Sequence, residues 1–110
     1  MKSKSQIIQA FKEAVNMSSQ DLQAWLQTDQ SQQVGQKRAN NQESIGHQSG
    51  KKIVGLLQKK EEEFSEQDFR DMQRVISYVH RHLAKPPASH IAESRWRYSL
   101  MNWGHDPLKK

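Results

Sequence analysis

A chain of 110 residues has room for one domain with a modest core, and at 34% hydrophobic residues that core must draw on a few concentrated stretches. Seventeen Lys and Arg against twelve Asp and Glu give a net charge of +5, which suits a polyanionic partner, but the excess is spread along the chain and any patch must be assembled by folding. The absence of cysteine excludes disulfides and thiolate metal sites, and the longest apolar run, Ile53-Val54-Gly55-Leu56-Leu57, is too short to span a membrane.

In chain order, residues 5–15 place Ile7, Ile8, Phe11 and Val15 at helical spacing, and Asn16 ends this first helix. Ser18-Ser19-Gln20-Asp21 has the form of a capping box and opens a second helix over 19–28, with Leu22, Trp25 and Leu26 on one face. Residues 29–48 are rich in Gln, Asn and Ser. They read as a long polar loop between helices two and three, with a weak helical turn around 30–35. In a functional reading this loop is an arm that carries Lys37 and Arg38 to a partner.

Ser49-Gly50 is expected to start a third helix, 51–63. Ile53, Leu56, Leu57 and Phe64 share one face of it, and Lys52, Gly55 and Lys59 another. Ser65-Glu66-Gln67-Asp68 is a second capping box, at the head of the strongest helix, where Phe69, Met72, Ile76, Val79 and Leu83 recur as a buried stripe. Lys85-Pro86-Pro87 ends that helix, because a residue before proline avoids the helical region. A last helix starts near Ser89 or Ser94 and ends at Trp103, with Gly104 as its left-handed C-terminal residue. On its wheel Trp96, Leu100 and Trp103 form a core face, packed against the 69–83 stripe. Arg95, Tyr98 and Asn102 form another side, either solvated or bonded in the interior. No strand pattern or repeat is visible. The expected fold is all-α: a single domain over 1–110, with four to five helices in an orthogonal or bundle-like array.

Nothing in the chain organises a catalyst. Ser, His and Asp occur without a nucleophile motif. His80 and His82 lie two apart and point in different directions. With no cysteine and no His pair at i, i+4, neither a metal nor a cofactor is expected. The most suggestive stretch is Ile45-Gly46-His47-Gln48-Ser49-Gly50-Lys51-Lys52. Its glycines, hydroxyl and lysines sit at an expected helix start, where free N–H groups and the positive dipole end attract phosphate. It departs from a nucleotide-binding P-loop: the glycine gap is one residue short, no strand precedes it, and Lys52 stands where a hydroxyl belongs. A helix-turn-helix built from helices two and three would need a far longer connection than usual. The candidate phosphate contacts are His47, Ser49, Lys51 and Lys52, with Lys37, Arg38 and Lys59 nearby and Arg95 and Arg97 in support.

Four stretches resemble one known family: Phe11-Lys12-Glu13-Ala14-Val15-Asn16-Met17-Ser18, the segment from Ser44 to Val54, Tyr78-Val79-His80-Arg81-His82-Leu83, and Trp96-Arg97-Tyr98-Ser99-Leu100-Met101-Asn102-Trp103-Gly104-His105-Asp106-Pro107. The family is a small bacterial and fungal one catalogued as domain of unknown function 3140, and the similarity covers about 11–108. Its members often carry the label "DNA-binding protein". The resemblance therefore implies DNA as partner; the lack of cysteine leans toward a cytoplasmic location, which for a DNA-binding protein of a bacterium is the nucleoid. The position of Gln48 is usually acidic in that family, so Gln48 removes a negative charge beside Lys51 and Lys52. The family supplies no catalytic residues. The expected function is a non-enzymatic DNA-binding domain that contacts mainly the phosphate backbone, with low sequence specificity. The alternative is a protein-interaction or oligomerisation module. It would show an exposed apolar patch on helix two or the last helix and form a homodimer.

Overall fold

The computed structural model describes residues 3–34 and 45–109, and all regular structure within them is helical. Six α-helices follow in order: α1 (Lys4–Ala14), α2 (Ser19–Leu26), α3 (Asp29–Gln33), α4 (Ile45–Gln58), α5 (Glu66–Leu83) and α6 (Arg95–Asn102). Short 3₁₀ turns at Glu61–Glu63 and Ile91–Glu93 lead into α5 and α6. None of the helices is long and apolar enough to cross a membrane.

Local chemistry sets most of the starts. The hydroxyls of Ser3, Ser18, Thr28, Ser65 and Ser94 each accept a backbone N–H from the first turn of the following helix, supplying a partner the helix itself lacks. At α5 the box is complete, because the Asp68 carboxylate also accepts from the Ser65 N–H at 3.0 Å. At the far end of α6, Gly104 takes φ +83°, the left-handed conformation expected of it.

α1 lies along α5, α2 against α4, and α6 crosses α2, α3 and α4. The core runs through these contacts: Phe11, Leu22, Ile53, Met72, Val79 and Leu100 are all buried. The stripe on α5 falls where its spacing placed it, with Phe69, Met72, Val75, Ile76 and Val79 inward. On α6, Leu100 and Trp103 are buried and Trp96 is half-buried.

Two expectations change. The polar stretch begins with a real helix, α3, which Thr28 caps and which buries Ser31. The third long helix begins at Ile45, not near Ser49–Lys51, and ends at Gln58. The reason lies on the far side of the molecule. A Cβ on Gly46 would come within 3.3 Å of Trp103 Nε1, and one on Gly50 within 2.5 Å of the Asn102 carbonyl oxygen and 2.6 Å of Leu26 Cδ2. One turn apart on the same face, these glycines let α4 approach α6 and α2 closely, and that packing carries the helix back to Ile45.

Candidate functional site

The earlier start of α4 dissolves the glycine-rich phosphate cradle. Ser49, Gly50, Lys51 and Lys52 stand in the second turn, where backbone N–H groups point at carbonyls one turn back. Gly46 and Gly50 face protein atoms. His47 is buried, and its Nε2 lies 2.6 Å from the carbonyl oxygen of Leu26, at the end of α2. It ties α4 to α2 and is withdrawn from any external anion.

The other candidates are dispersed. Lys37 and Arg38 lie outside the described residues. Lys51 is exposed beside His47 on a groove of about 400 Å³ between α2, α3 and α4, with Gln23, Gln27 and Gln32 on its walls and Leu26 and Val54 beneath. Ser49 and Lys52 lie on the opposite side of α4, where a narrow cleft brings them to Asp71 and Arg74 of α5. Lys59 is bound to Asp68 at 2.7 Å. Arg97 grips Asp106 with Nε and Nη2, each at 3.1 Å, and donates from Nη1 to the Ala92 carbonyl at 2.8 Å. Burial alone would raise the Asp106 carboxyl, but the hydrogen bonds and charge of Arg97, the Leu108 N–H and nearby His105 together outweigh it and hold the group below the usual carboxylate range. Lys59 and Arg97 thus already hold carboxylates, and of the α6 pair only Arg95 is exposed.

Asn102, read with the Arg95 side of α6, is only 1% exposed. Its Oδ1 accepts from the Trp25 indole at 2.7 Å and from the Ser31 hydroxyl at 2.5 Å, and its Nδ2 donates to the Ser31 carbonyl at 3.1 Å. One amide therefore joins α6, α2 and α3, and every polar atom of that side chain is satisfied. The stretch that follows is also a joint. Asp106 exchanges two hydrogen bonds with the Asn16 side chain, His105 Nδ1 lies 2.7 Å from the Ala14 carbonyl, and the Met17 N–H donates to the Gly104 carbonyl. The distinctive closing stretch clasps the α1–α2 junction.

Residues that sequence reasoning passed over form the most coherent charged surface. Along α5, Arg70, Arg74, Ser77 and Arg81 recur at spacings of four, three and four, and all four are exposed. They form one strip opposite the apolar stripe. Gln73 and His80 flank it, and Lys85 follows just past the helix. No acidic residue lies between 72 and 85. Arg70 rests on the Gln67 side chain and Arg81 on the Ser77 carbonyl, while Arg74 has no hydrogen bond or ion pair among the described residues. Lys52 reaches the same face through the cleft at Arg74. At the other end of α5 three cations are held by carboxylates: Lys4 by Glu66, Lys12 by Glu61, and Lys59 by Asp68. The spacing of these arginines was a usable signal in the sequence, masked by the more conspicuous Gly and Lys cluster of α4.

The exposed large hydrophobic side chain among the described residues is Leu108, at 46%, which lies on neither α2 nor α6. The same residues hold no group of three or more His, Asp or Glu placed to share a metal ion. Searches of the curated proteins and of the solved structures return no match. A family model matches residues 10–101, most of the chain, and stops just short of Asn102 and the clasp. The chain belongs to the family described as protein of unknown function (DUF3140).

Proposed function

We propose that the chain binds DNA without catalysis, through the phosphate backbone and with low sequence specificity, using the exposed face of α5. The observation that carries this reading is the strip of Arg70, Arg74, Ser77 and Arg81, joined by Lys52 and Lys85 and free of acids from 72 onward. α5 has 18 residues and is about 27 Å long, enough to lay several cations along a duplex backbone. Guanidinium groups pair with phosphate oxygens in a fork, and Ser77 adds a neutral donor among them. Arginine is weakly hydrated, so its transfer onto a phosphate costs little. A DNA-binding role places the protein in the cytoplasm, at the nucleoid of a bacterial cell.

The test is fluorescence anisotropy with a duplex of arbitrary sequence across a range of salt. With four or five phosphates engaged, the logarithm of the binding constant should fall against the logarithm of salt with a slope of about −4. The double variant Arg74→Glu, Arg81→Glu should weaken binding at low salt by about tenfold or more and flatten the slope by about 2. Absence of binding at low salt, or a variant indistinguishable from wild type, sinks the proposal.

A further inference from the structure

A run of stacked rings lies where α5 meets α6. Trp103 stacks on Tyr78 with centroids 4.2 Å apart and planes 13° from parallel. Tyr78 stacks on the His82 imidazole at 5.2 Å and 13°, and His82 on Trp96 at 6.2 Å and 12°. These four near-parallel rings run from one end of α6 to the other. The Trp96 indole N–H also donates to the His82 carbonyl oxygen at 2.7 Å, which fastens the same residue a second time. One atom of this joint is unsatisfied: His82 Nε2 is buried and has no hydrogen-bond partner among the described residues.

A neutral imidazole can leave one nitrogen as a bare acceptor. An imidazolium has an N–H at both nitrogens, and each needs an acceptor. At Nε2 none stands within hydrogen-bond reach among the described residues, so a proton added to the stacked ring becomes a buried, unpaired, charged donor. Cation–π attraction from Tyr78 and Trp96 acts the other way, but Trp96 lies at the roughly 6 Å limit of its reach.

The surrounding charges do not rescue the ion. On α5 and just beyond it stand Arg81 and Lys85, on the 3₁₀ turn Glu93, and on α6 Arg95 and Arg97. None of them bonds the His82 ring. Arg97 is held by Asp106, and the other four are exposed. Tyr78 stays neutral, because burial pushes its phenol up against the opposing influence of Ser99 and Arg81. Burial likewise pushes His82 below its ordinary value of 6.5, with the Trp96 backbone opposing.

We propose that His82 is a proton-operated release for α6: neutral, it completes the ring stack that holds α6 to α5, and protonated, it leaves the stack and frees α6 from α5. The stabilisation is fully present above the ordinary imidazole range. It is lost as pH falls from there through the lower value of the folded state.

The test uses the full chain between about pH 8 and about pH 5, with NMR titration of the histidine ring protons beside near-UV circular dichroism. His82 should titrate below 6.5, and the near-UV signal of the stacked tryptophans should fall with the same midpoint while far-UV helicity largely persists. Corrected for intrinsic rates, α6 amides should exchange about tenfold faster at the acid end. His82→Phe keeps a ring in the stack and removes the proton, so the near-UV change should vanish and α6 should stay protected. His82→Ala should loosen α6 at both ends of the range. A His82 midpoint at or above 6.5 with the stack intact would mean that cation–π attraction holds the ion, and it overturns the proposal. So does an unchanged pH response in His82→Phe, or full protection of α6 in His82→Ala. The wild-type titration decides the matter even if a variant fails to fold.

Discussion

A single missing methyl group distinguishes two glycines of the same helix. Gly50 faces Leu26 and the Asn102 carbonyl so closely that an added Cβ would stand 2.5 Å from the oxygen, a backbone atom that cannot swing aside. Gly55, five residues on, is exposed, and a Cβ there meets nothing within 4 Å. The same substitution should therefore have opposite signs. Gly50→Ala should destabilise by about 3 kcal/mol, the cost of forcing α4 off α6. Gly55→Ala should stabilise by up to about 1 kcal/mol through helix propensity and a more restricted unfolded chain. Urea unfolding of the two variants checks the pair, and a neutral Gly50→Ala would mean that α4 does not pack there as closely as described. Neither sign can be read from the sequence, where Gly46 and Gly50 sit among a hydroxyl and two lysines and suggest a ligand. Their partners, Trp103 and Asn102, are some fifty residues away.

The helices differ in how much of their definition is local. α5 was legible because its capping box and its stripe both act within a few residues. Ser65 and Asp68 close their reciprocal bonds across three positions, and Phe69, Met72, Ile76 and Val79 keep helical period throughout. Lys59, then the Ser65 N–H, hold the Asp68 carboxyl below its ordinary range, so one acid serves both the cap and the α4–α5 connection. Ser65→Ala should cost about 1 kcal/mol with an unchanged denaturant slope, since it removes a cap and leaves the buried face intact. A loss near zero in the urea midpoint would show that Asp68 alone suffices. α4 was placed less well because its start depends on packing against α6, and α3 because five polar residues show no apolar period of their own. The candidate site suffered in the same way. Charge and glycine content drew attention to α4, but whether a cation is available depends on its partner. Lys59 and Arg97 are already taken by Asp68 and Asp106, while the arginines of α5 face outward.

At the scale of the whole molecule, the chain is closed on itself by residues that follow the last helix. His105 meets the Ala14 carbonyl, Asp106 bonds the Asn16 side chain twice and Arg97 twice, and Lys109 Nζ donates to the Asn16 carbonyl at 2.6 Å. The contacts to Ala14 and Asn16 span some ninety residues and bring the C-terminal stretch to the α1–α2 junction, so they stabilise tertiary structure without adding to any helix. Truncation after Gly104 keeps the Met17–Gly104 bond but removes all the others. It also leaves Arg97, whose side chain is 23% exposed, with only the Ala92 carbonyl as partner. An ordinary hydrogen bond contributes about 1 kcal/mol and a charged one about 1.5–3, so several together point to a loss of about 4 kcal/mol. That is a large fraction of the roughly 5–15 kcal/mol typical of a domain. The exchange of amides 15–17 should accelerate with it, while the middle of α5, held by α1 and its own stripe, should remain the most protected part of the chain. Asn16→Ala, which removes only the two Asp106 bonds, should lose about half as much. If the truncated chain unfolds at the wild-type urea midpoint, the clasp is incidental and the closing stretch must be explained by some contact other than these.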